Sequence, residues 1–142
     1  MIILGLDYGE RRIGAAIGDE LEIAAHPLPT IERDGEELDR IARVAEERGA
    51  ERIVVGLPVQ MDGAEGPAAR KVRGFAKELR QALPGVEVLL VDERLSTAQA
   101  HSALSEMGAG QKQRRENVDR MAAQIILQRH LEQRRTERGE GR

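Results

Sequence analysis

The sequence contains no cysteine, and its only aromatic residues are Tyr8 and Phe75. The lack of cysteine excludes disulfide frameworks, zinc–thiolate sites and cysteine nucleophiles, so a metal site would use oxygen ligands or histidine. The lack of aromatic residues argues against recognition of bases by stacking on an aromatic platform. No apolar run is long enough for a signal sequence or a membrane span. We therefore expect a cytoplasmic protein with no membrane partner.

The charge is spread unevenly along the chain around a net value of −3. Residues 111–142 hold nine Arg or Lys and five Asp or Glu, whereas the rest of the chain is acidic. This basic segment could follow a polyanion such as nucleic acid. A solvated helix face with a frayed tail would explain the same charges.

The length of 142 residues and a hydrophobic content of 40% suit one compact domain. We expect that domain to span residues 1–136, with a disordered tail over residues 137–142.

Short apolar segments that end at glycine or proline predict strands over residues 2–7, 13–17, 52–56 and 86–91. A weaker strand is expected over residues 21–25, because Pro27 and Pro29 should stop further pairing. Helical spacing of apolar residues predicts helices over residues 34–49, 67–83, 96–107 and 116–135. Asp34 is the expected cap of the first helix, and residues 108–115 should form a mobile loop.

This order of elements, βββαβαβαα, predicts an α/β fold in which a three-stranded meander is followed by right-handed crossovers. The first, fourth and fifth strands should be parallel neighbours whose carboxyl ends open onto one edge of the sheet. Asp7 ends the first of these strands, and Glu93 follows the last.

Asp7 is the sharpest single candidate for a functional residue. An aspartate that closes an apolar strand must keep its carboxylate hydrated, paired or metal-bound to avoid a large desolvation penalty. Gly5 and Gly9 leave room for a ligand to approach closely. The alternative is a plain turn, since Asp-Tyr-Gly also suits a hairpin.

Two further carboxylates are candidates for the same edge of the sheet. Asp119 lies in the first turn of the predicted last helix, on the stripe that Ala122 and Ala123 share, although an aspartate there could merely favour the helix dipole. Glu93 and its neighbour Asp92 occupy a strand-to-helix loop, and adjacent extended residues point to opposite sides. Spacing alone does not decide which of the two faces the cleft.

Three carboxylates that converge at one end of a sheet cannot all stay charged without a cation, and oxygen ligands suit Mg²⁺ or Mn²⁺. Such an ion can activate water and stabilise the leaving oxygen in phosphodiester hydrolysis. The three histidines are scattered and show no i, i+4 pairing, so they are not expected to be ligands. These residues indicate a metal-dependent nuclease.

Four motifs together resemble the YqgF family, also called RuvX, and they cover nearly the whole chain in the family's order. They are Asp7-Tyr8-Gly9 with Arg12 and Gly14, Gly56-Leu57-Pro58 with Met61-Asp62-Gly63, Asp92-Glu93-Arg94-Leu95-Ser96-Thr97, and Asp119 with Ala122-Ala123. That family is similar to the RuvC Holliday junction resolvases and is regarded as a nuclease that processes the 5′ end of pre-16S ribosomal RNA.

The resemblance implies a ribonuclease H-like, three-layer fold. Its five-stranded mixed sheet would have the order 3-2-1-4-5, with strand 2 antiparallel and helices on both faces. It also implies that Asp7, Glu93 and Asp119 are catalytic metal ligands, which favours Glu93 over Asp92. The residues it makes candidates for binding nucleic acid are Arg12, Arg94, Ser96, Thr97, Lys112, Arg114 and Arg115.

The chain departs from the family at three places. Gln60 stands where the family commonly has Asn. The basic segment before Asp119 uses Lys112, Arg114 and Arg115 where the family is rich in Lys, and Arg can fork onto phosphates. Gly56 stands where many ribonuclease H-like nucleases carry an acid, so a second ion would be bound weakly.

The leading hypothesis is an endonuclease that acts on structured RNA. One alternative is a DNA junction resolvase, which would need two active sites and hence a homodimer. Another is a non-catalytic, regulatory nucleic-acid-binding module, which the acidic net charge and Gly56 would suit. Asp-x-Gly turns also occur in actin-like and sugar-kinase folds, but those folds need two such domains.

Overall fold

The computed structural model describes residues 1–93 and 111–139, and for residues 111–119 it describes the backbone alone. The strands are β1 (Ile2–Tyr8), β2 (Arg12–Gly18), β3 (Ala25–Glu32), β4 (Ala50–Leu57) and β5 (Glu87–Asp92). The helices are α1 (Glu37–Arg48), α2 (Pro67–Ala82) and α3 (Gln111–Glu137).

The five strands form one sheet in the order β3-β2-β1-β4-β5. β2 is antiparallel to both of its neighbours, whereas β1, β4 and β5 run parallel. The predicted fold class and strand order are therefore confirmed.

Helices cover both faces of this sheet because alternate residues of its central strands are apolar on both sides. On one face, residues such as Leu4, Leu6 and Val55 pack with α1 and α2. On the other, Ile3 and Val54 pack with α3. The described residues thus form the three layers that the resemblance implied. Within the described ranges, no helix is long and apolar enough to cross a membrane.

The predicted third strand over residues 21–25 is wrong. β3 starts at Ala25 and continues through both prolines, with Pro27 paired with Ala16. Proline is tolerated on an edge strand, because its missing N–H need not take part in the ladder. Two side chains of α3 determine where β3 starts. The Ala25 N–H donates to Gln128 Oε1 (2.8 Å), and Gln124 Nε2 donates to the Ala25 carbonyl (3.1 Å).

Asp34 does not cap the first helix, contrary to the prediction. The N-cap residue of α1 is Glu36, and no side chain caps that end. Asp34 instead accepts a hydrogen bond from the Glu36 N–H (3.1 Å) and pairs with both terminal nitrogens of Arg40 (2.7 and 2.6 Å). The aspartate therefore shapes the turn before the helix.

The loop predicted over residues 108–115 is wrong for its last five positions, because α3 begins at Gln111. The predicted helix over residues 96–107 lies outside the described residues. The domain boundary at residue 136 stays a prediction; α3 runs to Glu137, and Arg138 Nη1 donates to Glu22 Oε1 (3.1 Å).

Candidate active site

Asp7 and Glu93 meet on the α3 face of the sheet. Asp7 is the penultimate residue of β1, and alternation along the strand puts it on the same face as Ile3, which packs with α3. Glu93 follows β5 directly, and its N–H donates to the Leu57 carbonyl (3.2 Å), which extends the parallel β4–β5 ladder by one residue. Val91, two residues earlier, also packs on the α3 side. The parallel strands β1 and β5, which flank β4, therefore bring both carboxylates to one edge.

The surroundings of this pair disfavour negative charge. Burial raises the pKa of Asp7 well above its ordinary value, and the charge of Glu93 and a hydrogen bond between the two carboxyl groups raise it further. Burial also raises the pKa of Glu93; the hydrogen bond with Asp7 acts against this, and the nearby charge of Asp92 adds to it. Two carboxylates in such a place need either a shared proton or a cation.

One oxygen of the pair has no partner in the described part of the chain. Glu93 Oε2 is buried and takes part in no hydrogen bond there. An unpaired buried carboxylate oxygen is costly unless a ligand completes its shell. Two neighbouring carboxylates, one with an oxygen that no described residue hydrogen-bonds, fit a hard divalent cation such as Mg²⁺ or Mn²⁺.

Two glycines make this arrangement possible. A Cβ at Gly5 would lie 2.8 Å from Leu127 Cβ and 3.2 Å from the Ala123 carbonyl oxygen, so the missing side chain allows α3 to lie against β1. A Cβ at Gly56 would collide with Glu93 Oε2. The Glu93 carboxylate therefore rests directly on the backbone of β4.

The third predicted ligand, Asp119, belongs to α3, and its side chain lies outside the described residues. Its backbone is one helical turn before Ala122 and Ala123, which are fully buried. Among the side chains that the structure describes, no three His, Asp or Glu residues form a group that could hold a metal ion. A third carboxylate or histidine ligand would therefore have to come from a side chain beyond that set, as Asp119 would.

The structure places the predicted nucleic-acid-binding residues only in part. Arg12 begins β2, is half-buried, and pairs in register with Glu32. Arg94, Ser96 and Thr97 lie outside the described residues, and of the basic residues on α3 (Lys112, Arg114 and Arg115) only the backbone is described. Gln60, the departure from the family, belongs to a hydrogen-bonded turn in which its N–H donates to the Ala64 carbonyl (2.8 Å).

No sequence pattern singled out Arg33, which holds the turn after Asp7. Its Nη1 donates to the carbonyls of Gly9 (2.9 Å) and Glu10 (3.0 Å), and its guanidinium lies 4.3 Å from the centroid of the Tyr8 ring. The ring of Phe75 stacks on Tyr8 at 4.2 Å. Tyr8 is thus held between two side chains, and its position holds the adjacent Asp7 backbone in place.

Solved structures of RuvC and of a viral resolvase have a similar fold. Over 94% of this chain, the fold is similar to Thermus thermophilus RuvC in complex with a Holliday junction substrate, with a TM-score of 0.55, 19% identity and 95% of that chain covered. Fowlpox virus resolvase in complex with Holliday junction DNA gives a TM-score of 0.53 at 13% identity, covering 94% and 98% of the two chains. At these identities the likeness concerns the fold.

The family follows from the sequence comparisons. The profile of the RuvX family, described as Holliday junction resolvase, matches residues 1–133. A protein of Anaeromyxobacter sp. (strain K) named "Putative pre-16S rRNA nuclease" is 47% identical over 136 residues, which cover 94% of this chain and 98% of the relative. A relative of the same name in Desulforudis audaxviator (strain MP104C) is 41% identical, with 97% and 99% covered. The chain belongs to the RuvX family, and the resemblance drawn from its motifs is confirmed.

Proposed function

We propose that this protein is a divalent-metal-dependent endonuclease that hydrolyses phosphodiester bonds in structured RNA. The names of the relatives support the 5′ end of pre-16S ribosomal RNA as its substrate, and hence a cytoplasmic site of action. The observation that carries the proposal is the pair of Asp7 and Glu93 carboxylates, whose burial and proximity disfavour charge unless a cation neutralises it.

Asp7, Glu93 and Asp119 would hold the ion. When bound, the ion would act as a Lewis acid that activates water and stabilises the leaving oxygen. The two described carboxylates would release any shared proton when they become ligands. Gly56 supplies no fourth carboxylate, so we expect one ion to bind tightly and a second weakly. Phosphate contacts are proposed for Arg12, Arg94, Ser96, Thr97, Lys112, Arg114 and Arg115.

The direct test is cleavage of a precursor transcript that carries an unprocessed 16S 5′ end, with Mg²⁺ or Mn²⁺ present. Asp7→Asn keeps the size of the side chain but removes its charge, and we expect it to reduce kcat by about 100-fold or more. Asp39→Asn, at an exposed position on α1, is the matched control and should cleave like the wild type. Equal cleavage by Asp7→Asn would contradict the proposal.

A second candidate function is the resolution of DNA junctions, which the description of the family favours. Cutting a symmetric four-way junction requires two active sites and therefore a dimer. Incubation of the same samples with a four-way DNA junction, together with the mass in solution, separates the two functions. Paired cuts by a dimer would favour the resolvase, whereas a monomer that cuts only the RNA would favour processing. RNA binding without cleavage of either substrate would indicate a non-catalytic module.

A further inference from the structure

Gly56 lies in β4 between the strands that carry the two carboxylates. It pairs in register with Val91 of β5, two residues before Glu93, and the neighbouring Val55 pairs with Leu6, just before Asp7. A side chain at this position would point to the α3 face, because its Cβ would lie 2.6 Å from Ile126 Cδ1 on α3 and would overlap Glu93 Oε2. The space where that side chain would be is occupied by the Glu93 carboxylate.

Backbone conformation does not explain the glycine. The described glycines with positive φ are Gly35, Gly49, Gly63 and Gly139, and Gly56 is not one of them. Any L-residue can adopt its backbone angles. Close helix packing does not account for it fully either, since the nearest atom to the missing Cβ belongs to Glu93, while the contact from α3 is the flexible end of Ile126. The remaining explanation for the glycine is that the Glu93 carboxylate occupies the space that a side chain at position 56 would fill.

The described residues around Glu93 restrict where its side chain can move. Its backbone is tied to β4 by the hydrogen bond from its N–H to the Leu57 carbonyl (3.2 Å). Ile126, which would meet the same Cβ, is 2% exposed and belongs to the core beneath α3. If the Glu93 carboxylate were displaced from its place against Gly56, it would therefore move away from Asp7, its hydrogen-bonding partner.

We infer that Gly56 is a positioning residue: its missing side chain seats the Glu93 carboxylate beside Asp7 in the geometry that binds the divalent ion. The inference rests on the proposed function and makes it more specific, because it explains why this site has no acid at the end of β4. Glu93 fills the volume that such an acid would need. The metal site would thus be built from fewer carboxylates.

The test adds one methyl group at this position in a background that lacks the Ile126 Cδ1 contact, so that the shortest contact left is with Glu93. Ile126→Val removes the Cδ1 atom that would otherwise collide, so the experiment compares Ile126→Val with Gly56→Ala/Ile126→Val. Mn²⁺ affinity is measured from the electron paramagnetic resonance signal of the free ion, and the melting temperature is measured without metal. We expect the added methyl group to weaken Mn²⁺ binding by about 10- to 100-fold, the range known for residues that orient metal ligands. The melting temperature should stay close to that of the background.

Rescue distinguishes positioning from a general loss of packing. Adding Glu93→Asp shortens the carboxylate side chain by one methylene, which clears the added methyl group and should recover most of the lost Mn²⁺ affinity. Alone, Glu93→Asp should weaken binding. The matched control is Gly74→Ala, at a position in α2 where a Cβ meets no atom within 4 Å, and it should leave Mn²⁺ affinity unchanged.

Unchanged Mn²⁺ affinity in Gly56→Ala/Ile126→Val would overturn the inference, and so would a loss that Glu93→Asp deepens. Cleavage assays on the same variants should show a lower kcat with little change in KM, because the substrate-binding residues are not altered. If the wild type cleaves neither RNA nor junction DNA, the proposed function fails, but the Mn²⁺ affinities still decide the role of Gly56.

Discussion

At the scale of single residues, burial of the Asp7 and Glu93 carboxyl groups lowers the stability of the metal-free fold. Each has a raised pKa with burial as the main cause, and the charge of Glu93 raises the pKa of Asp7 further. A carboxylate that ionises less readily in the folded state than in the unfolded chain destabilises the fold at neutral pH. Functional sites commonly carry such a cost.

We therefore predict that Asp7→Asn stabilises the metal-free protein, by on the order of 1 kcal/mol at pH 8. A raised carboxyl pKa means that the folded protein holds more protons than the unfolded chain between the two pKa values, so wild-type stability should fall as pH rises through that window. Urea unfolding from pH 5 to pH 8, with EDTA present, measures both effects. If Asp7→Asn is less stable than the wild type at pH 8, the pair is not electrostatically strained.

At the residue level, the sequence pattern of one strand is enough to make Asp7 a candidate. An aspartate at the end of an apolar strand identifies Asp7 as a candidate without any knowledge of its neighbours. Asp92 and Glu93 could not be separated in this way; in the structure Asp92 is exposed and Glu93 is the residue that meets Asp7. The positioning role inferred for Gly56 could not be predicted from the sequence, because it depends on contacts with Glu93 and Ile126, which are far away along the chain.

At the scale of secondary structure elements, the contact between α3 and the sheet determines the shape of the site. Small residues line that contact: Gly5 on β1 faces Leu127 and the Ala123 carbonyl, and Ala123 is fully buried. Close packing through small residues lets the helix backbone approach the strand that carries Asp7. It also leaves no free space for a larger side chain.

Gly5→Ala tests this contact. The added Cβ would lie 2.8 Å from Leu127 Cβ, an atom next to the helix backbone that cannot rotate away, so α3 must shift outward. We predict a loss of about 1–3 kcal/mol in the free energy of unfolding, the usual cost of overpacking a core. Chemical unfolding measures this cost. A variant as stable as the wild type would show that α3 is loosely docked.

Elements were predicted well where local pattern dominates and poorly where a distant partner decides. The parallel strands and α2 are close to their predicted ranges, since continuous apolar runs and helical spacing are local signals. β3 was misplaced because Gln124 and Gln128, on a helix about a hundred residues later, bind the backbone of Ala25. The early start of α3 at Gln111 lies in a polar stretch with no apolar stripe to reveal it.

At the scale of the whole molecule, Glu22 joins the two ends of the described chain. It is 7% exposed, and its carboxylate pairs with Arg134, with Arg138 (3.1 Å) and with the amino group of Met1 (3.5 Å). Its backbone adopts a φ of 58°, which is costly for a residue other than glycine. The ion pairs must therefore offset both burial and this strain.

We predict that Glu22→Gln lowers the free energy of unfolding by about 2 kcal/mol at pH 7, because it leaves several cations near a buried site without their partner. Hydrogen bonds from Arg134 lower the pKa of Glu22 to about 2, from an ordinary value of 4.5. A depressed carboxyl pKa gives stability that is complete above pH 4.5 and is lost as pH falls toward 2.

Acid unfolding followed by circular dichroism measures this loss. The variant should lack that part of the acid transition, and an acid transition identical to that of the wild type would show that Glu22 does not join the chain ends.

The central claim is that Asp7 and Glu93 form a divalent metal site in the folded protein, and a crystal soaked in Mn²⁺ tests it most directly. The account predicts anomalous density for one strongly bound ion at about 2.2 Å from carboxylate oxygens of both residues. Asp119 should supply a third oxygen, and Asp7→Asn crystals should lose the peak. An ion bound elsewhere, or two carboxylates with no ion between them at saturating Mn²⁺, would contradict the claim.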